Sequence, residues 1–387
     1  MRKNRVLISA YIGSENLGDE AIFNSILSNL DVQYSDITAV SVNEKKTKLS
    51  KVSTVYAKNI IGVARAIKKC DVMLIGGGGI IQDQSSILNL IYYSIQMTIA
   101  KYYHKPVIFC FTGVGPIRSK VGSWTLSILA PSIRYAIVRD KKSKKILSNF
   151  MDSSKIYQAS DPALNIKPRT RLITKHSDYA HLKPYFIISI RRWFFTISFL
   201  PTVITKNLNK LNFFNKRYRS YINSLASDLD IFLDNNPSLN AILVPLYNPE
   251  DSVVNNDLMS LMRNKDRLIL FKTRINEQIF LSVAQNAEFI IGMRLHSLIL
   301  GASVNKPFIS LSYSDKVDEF TKQMGMTNYS VDIENYDSAK MQKILSYFVD
   351  NGPSIKKRIS SKSIYYKRKN TEAFRILNKK IKHLLQK

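Results

Sequence analysis

The sequence predicts an α/β protein built from two Rossmann-like lobes, with its functional site in the cleft between them. Three observations carry this expectation. The chain has 387 residues, too many for one ordinary core and about right for two. Short apolar runs of strand length alternate with stretches of helical periodicity, the pattern of a parallel sheet covered by helices. After a polar interval near the middle the same alternation starts again, which suggests two similar halves and an interlobe site.

Taken in order, "RVLISAY", "DITAVSV", "DVMLIGGGG", "KPVIFCFTGVGP" and "YAIVRD" are the strand candidates of a first lobe, residues 1–168. Between the first two, "DEAIFNSILSNL" places Ile22, Ile26 and Leu30 one turn apart, a helical spacing, with Asp19 as its expected N-cap. The polar stretch "RTRLITKHSDYAHLKP", residues 169–184, is the expected linker. A second lobe over 185–350 then carries "YFIISIR", "LNAILVPL", "RLILFK", "EFIIG" and "KPFISLSY". The tail, 351–387, is strongly basic; Phe374, Leu377, Ile381, Leu384 and Leu385 would lie on one face of a helix there, which either docks this stripe and leaves the charged side to solvent or lipid or is a plain solvated helix.

The 57 Lys and Arg against 29 Asp and Glu leave a net charge of +28, enough to concentrate polyanions near the surface. Nucleic acid, anionic lipid and phosphorylated substrates are the partner classes this allows. No nucleic-acid-binding module is recognisable and the basic residues are diffuse outside the tail, which argues against the first. Cys70 and Cys110 lie inside apolar runs, so neither a disulfide framework nor a cysteine zinc site is readable, and a reducing compartment fits. The basic start "MRKNRVLISAY" lacks a cleavage signal and reads as a buried strand. No window reaches the roughly 18 apolar residues of a membrane span.

The polar residues cluster where strands end. In "YIGSENLGDEA" Asn16, Gly18 and Asp19 meet a helix N-terminus, whose N–H groups attract anions or sugar hydroxyls. There the plain reading has Gly18 making the turn and Asp19 capping, with Asn16 the better ligand candidate. Gly77 and Gly78 in "GGGGIIQD", with Gln82 and Asp83 behind them, form either a ligand-contacting turn or a simple strand-to-helix turn; the spacing is not a dinucleotide fingerprint. Gly113 and Gly115 in "FTGVGPI" set a rigid turn. Arg139 in "YAIVRD" either clamps a carboxylate or phosphate or pairs with Asp140 or another acid. In "EFIIGMRLHSLILGAS" a strand leads into a helix, putting Arg294 and His296 in its first turn, where cations oppose the helix dipole and so suggest a bound anion. A surface arginine and a hydrogen-bonded histidine are the bland reading. Lys316 in "SYSDKVDEF" either joins them or pairs with Asp315 or Asp318. No triad, paired-carboxylate or metal-binding spacing stands out.

Together "NLGDEA", "GGGGIIQD", "YY" at Tyr92 and Tyr93, "KPV", "GVGP", "VRD", "SDPAL", "SIRRW", "GMRLHSLILGA" and "YSDKVDEF" resemble the polysaccharide pyruvyl transferase family, in the branch acting on bacterial cell-wall and exopolysaccharides. The resemblance runs from about Tyr11 to Phe320. It implies a GT-B-like architecture with the first lobe on the acceptor side and the second on the donor side. It also implies transfer of pyruvate from phosphoenolpyruvate onto two hydroxyls of one sugar, forming a ketal and releasing phosphate, with no metal or bound organic cofactor. By position Arg139, Arg294, His296, Lys316 and Arg191 match the donor site, with His296 either the general acid or a phosphate ligand, while Asn16, Gly18, Asp19, Gly77, Gly78, Gln82, Asp83, Gly113 and Gly115 belong to the acceptor and loop side.

Acceptors in that family are usually glycans on a polyprenyl-diphosphate carrier, so a cytoplasmic protein held peripherally on the inner face of the plasma membrane is expected. After "SIRRW" the chain departs from the expected polar loop with aromatic and basic residues, 193–221, which either dock with the tail on anionic lipid, at roughly 1 kcal/mol per cation, or pack on the second lobe. Two rival functions stand beside this one: a glycosyltransferase using a nucleotide sugar, and a non-enzymatic polyanion- or membrane-binding protein.

Overall fold

The computed structural model describes residues 5–33, 36–83, 87–169, 179, 182, 184–192, 212–271 and 275–386. Most of the expected linker and the segment 193–211 lie outside them.

The first lobe holds a parallel sheet of β1 (Val6–Ile12), β2 (Ile37–Ser41), β3 (Ser53–Tyr56), β4 (Val72–Ile81), β5 (Val107–Val114), β6 (Ile133–Val138) and β7 (Ile156–Gln158), in the order β3-β2-β1-β4-β5-β6-β7. Its helices are α1 (Leu17–Asn29), α2 (Glu44–Thr47), α3 (Ile60–Lys69), α4 (Ile87–Tyr102), α5 (Lys120–Leu129) and α6 (Lys141–Leu147). The second lobe repeats the plan with β8 (Tyr185–Ser189), β9 (Asn240–Leu243), β10 (Leu268–Leu270), β11 (Ile290–Gly292), β12 (Phe308–Ser312) and β13 (Ser330–Asp332), ordered β10-β9-β8-β11-β12-β13 and again parallel. Helices α7 (Asn212–Asp234), α8 (Glu250–Leu261), α9 (Glu277–Ala284), α10 (Leu295–Ser303), α11 (Asp315–Gln323) and α12 (Ser338–Leu385) complete it.

Strands covered by helices on both faces are apolar throughout rather than alternating, which is why "VMLI" and "FIIS" read so clearly. β3, β7 and β13 escape a sequence reading because they are three or four residues long, partly exposed, and hold at most two apolar or aromatic side chains each, too few to stand out as an apolar run. In the first sheet Ile108 and Cys110 face the side shared with α1 and the second lobe, while Val107 and Phe109 face α3, α4 and α5. The chain order reverses between β1 and β4 in one sheet and between β8 and β11 in the other, and ligands of such folds bind beyond the strand ends at those points.

The tail is the continuation of α12, which kinks at Asn351, two residues before Pro353. Past the kink Ile355, Ile359, Phe374, Leu377 and Ile381 are buried, and the Phe374 ring lies 4.5 Å from that of Phe111 in the first lobe. The apolar stripe is therefore used in packing, with Leu384 and Leu385 at its half-buried end. Asn370 on this helix accepts from Ser160 N (2.8 Å) and donates to the Asp161 carbonyl (3.0 Å), so the tail fixes the segment after β7. No helix among the described residues is long and apolar enough to cross a membrane.

Candidate active site between the lobes

The carboxyl ends of the two sheets face each other across a cavity of about 470 Å³. A backbone hydrogen bond from Leu17 N to Leu246 O (3.2 Å) and an ion pair between Lys142 and Asp315 (2.5 Å) join the lobes beside it.

Helix α1 brings the first group of residues. Its N-cap is Asn16, whose side chain accepts from Gly18 N (3.2 Å), not the expected Asp19. Asp19 instead stands in the first turn and lines the cavity. Burial drives its carboxyl up, and although His296, Lys316 and Arg139 pull it down, it stays raised to about 6. Gly18 is not a turn residue either. A Cβ built on it would overlap His296 Nδ1, so the glycine is the space in which the imidazole sits against the helix end.

Helix α10 brings the second. Arg294 occupies its N-cap position, one residue before the turn where it was expected, and no side chain caps this helix. The Arg294 guanidinium chelates fully buried Asp251, with Nε donating at 3.1 and 2.9 Å and Nη2 closing the fork. Asp251 is itself held by the N–H groups of Leu246 and Tyr247. His296 points Nε2 at Asp161 Oδ2, 3.7 Å away, and neither buried atom has a hydrogen bond among the described residues. Burial alone would raise the Asp161 carboxyl, but His296 and Arg139 outweigh it and hold it below the usual carboxylate range.

Arg139 follows β6 and is also within ion-pair distance of Asp161 (3.7 Å) and of Asp140 (3.5 Å), so pairing with acids describes it correctly while it still lines the cavity. Its guanidinium packs on Gly79 and Gly113, 2.9 and 2.8 Å from where a Cβ on each would stand. Lys316, at the start of α11, lines the cavity; of its two expected acidic partners, Asp315 pairs with Lys142 and Asp318 accepts from Ser312. Arg191 stands behind Tyr313, donating to its hydroxyl at 3.1 Å. Burial opposes ionisation of the Tyr313 phenol, but Lys316, Arg191 and Arg294 overcome it and lower it to about 7.

The glycine run does not end β4. The strand continues to Ile81, with Gly76, Gly77 and Gly78 at positive φ, so the sharp turn expected there is a contorted strand. Gly78 and Gln82 line the cavity, whereas Gly77 packs against Ile22. Asp83 accepts from Arg118 N and from the N and Oγ of Ser119, anchoring the start of α5. Gly115, at positive φ, packs on Ile146.

Asp161, Asp251 and Tyr313 were missed as site residues by sequence reasoning. Asp161 and Tyr313 lay within or beside quoted motifs, "SDPAL" and "YSDKVDEF", but nothing local distinguishes a buried partner from a solvated one. Asp251, in "NPEDS", carries no signal at all. Among the described residues no group of three His, Cys, Asp or Glu is placed to hold a metal ion.

These features define a two-lobed α/β protein of the GT-B type with a cation-rich cleft. The chain belongs to the polysaccharide pyruvyl transferase family, whose model matches residues 16–315. No curated protein matches it. Among solved structures, a glycosyltransferase from Rickettsia africae superposes with a TM-score of 0.61 at 13% identity, covering 100% of this chain and 99% of that one. The UDP-GlcNAc 2-epimerase of Methanocaldococcus jannaschii gives 0.58 at 12% identity, with 89% and 92% covered. That of Neisseria meningitidis, bound to UDP-GlcNAc, gives 0.58 at 11%, with 94% and 98% covered. At such identities the likeness is one of fold.

Proposed function

We propose that this protein transfers the pyruvyl group of phosphoenolpyruvate onto two hydroxyls of one sugar in a lipid-linked polysaccharide precursor, forming a ketal and releasing phosphate at the inner face of the plasma membrane. The observation that carries the reading is the field at Tyr313. Lys316, Arg191 and Arg294 converge there and outweigh burial to lower the phenol to about 7, and cations so gathered suit a small polyanion. In the proposed complex Arg139 holds the donor carboxylate, and Arg294, His296 and Lys316 hold the phosphate. Asp161 backs the imidazole, with Oδ2 3.7 Å from Nε2.

The proton falls to Asp19. Its carboxyl is already raised to about 6, and an anionic donor beside it raises it further, so it is protonated when the donor is bound. Asp19 protonates C3 of the enol, C2 becomes cationic, and the first sugar hydroxyl adds there, returning its proton to the carboxylate. The C2–O bond to phosphate then breaks, the second hydroxyl closes the ring, and its proton leaves with the phosphate. The reaction needs phosphoenolpyruvate as co-substrate and invokes no metal or bound organic cofactor.

The test is to incubate the protein with phosphoenolpyruvate and extracted lipid-linked glycans and follow phosphate release and product mass. A product heavier by one pyruvyl unit is expected. Nucleotide release from a sugar donor, without phosphate release from phosphoenolpyruvate, overturns the reading in favour of a glycosyltransferase.

A further inference from the structure

On the outer side of the first sheet α4 packs between α3 and α5, and the outward sides of α4 and α5 expose large apolar side chains. Ile91, Ile95 and Tyr102 form a stripe along α4, and Val121, Trp124 and Ile128 one along α5; Tyr102 is 75% exposed and Trp124 67%. A water-facing helix surface ordinarily carries charge, and a contiguous apolar patch marks a contact. The surrounding charge says with what. From residue 57 to 134 the sequence has nine Lys or Arg and two acids, Asp71 and Asp83. Asp71 is taken up by Arg5 N (2.9 Å) and Asp83 by the start of α5. Lys58, Arg65, Lys68, Lys69, Lys101 and Lys120 are left exposed around the patch.

We propose that the α3–α4–α5 face docks on an anionic lipid bilayer, with Trp124 and the α4 isoleucines entering the interface and the lysines and arginines meeting headgroups. A second copy of the chain on this face would bring two basic rims together, a like-charge contact that costs affinity. An anionic bilayer satisfies both the apolar centre and the rim. The basic side of α12 lies across the opposite face of the sheet, where Phe374 meets Phe111, so the two surfaces cannot lie flat on one membrane and the apolar one decides the orientation. Helix α4 also contributes Asn89 and Tyr93 to the cavity, which sets the site one helix away from the lipid. The inference rests on the proposed function only for its purpose, delivery of a lipid-linked acceptor.

The test uses the full chain and vesicles of phosphatidylglycerol mixed with phosphatidylcholine, against pure phosphatidylcholine. The wild type is expected to sediment with the anionic vesicles only. In Trp193→Phe, which leaves Trp124 as the sole tryptophan, the emission shifts to the blue on binding. Ile95→Glu/Trp124→Glu is expected to lose at least tenfold in bound fraction while keeping phosphoenolpyruvate turnover on detergent-dispersed acceptor, and Lys356→Glu/Lys357→Glu on α12 to lose less than twofold. Vesicle binding by the apolar-face variant at the wild-type level overturns the proposal. So does a dimer in solution that this variant splits, because the occupant is then a second copy. Binding that depends on Trp124 in a protein without turnover upholds the surface and removes only the reading of the pocket.

Discussion

The starts of α1 and α10 meet across the cleft and solve the same problem in opposite ways. Both expose unpaired N–H groups and the positive end of a helix dipole. α1 is satisfied from within: Asn16 caps it, and Asp19 and Glu20 place acid in its first turn. α10 has no side-chain cap and no acid in its first turn, and adds Arg294 and His296 to the positive end. One end is capped by a side chain and the other is not. The difference is the reason the proposed donor phosphate is assigned to the α10 end, and the glycine at position 18 lets the capped end come close to His296.

The largest effect expected from breaking this contrast is at Asp19. Asp19→Asn should lower turnover by about 10²–10⁴-fold, read as phosphate release, because the proton carrier is gone. Stability should move the other way. The folded carboxyl is raised from 3.8 to about 6, so the native state is favoured while it is protonated and loses that advantage as pH rises through this window. The neutral amide of the variant has no such loss, and chemical denaturation should find it more stable than wild type at pH 8, by up to about 3 kcal/mol, with no gain below pH 4. Equal stability at pH 8 would mean that Asp19 ionises freely.

Gly18→Ala should cost about 10²-fold in kcat/KM, since the new methyl group displaces His296 without touching any charge. Asn16→Ala beside it removes the α1 cap, about 1 kcal/mol of stability in a denaturant titration. If Gly18→Ala turns over normally, the imidazole is not needed where it lies. Asp251→Ala should destabilise the fold by about 3–5 kcal/mol, because it leaves the Arg294 guanidinium nearly buried without its partner, and should raise KM for phosphoenolpyruvate.

The mildest change is Tyr313→Phe, expected to alter KM by less than tenfold. Its value is as a reporter. Phenolate absorbance should rise around pH 7 in wild type, be missing from the variant, and move to higher pH when phosphoenolpyruvate occupies the site. A titration unaffected by the donor would place the donor elsewhere.

Much of this molecule is legible in one dimension. The long strands announce themselves as apolar runs, and the polar residues at their carboxyl ends, Asn16, Gln82, Arg139, Arg294, His296 and Lys316, do line one cavity. What misled was local plausibility. Asp19 before a helical pattern looks like a cap, Gly18 beside it like a turn, and four glycines like the end of a strand. In the fold Asn16 takes the cap, the glycine is a seat for a ring from the other lobe, and β4 runs on through its glycines.

The sequence by itself determined the alternation of strands and helices, the two-lobed class and which strand ends carry reactive groups, because those follow from periodicity and turn chemistry within a few residues. The tertiary structure alone decided which of those groups are partners and in what state of charge. Asp161 meets His296, Asp251 meets Arg294 and Gly18 makes room for His296 across long stretches of chain. Burial and the field of neighbouring charges, which set a carboxyl near 6 and a phenol near 7, exist only once those stretches are brought together.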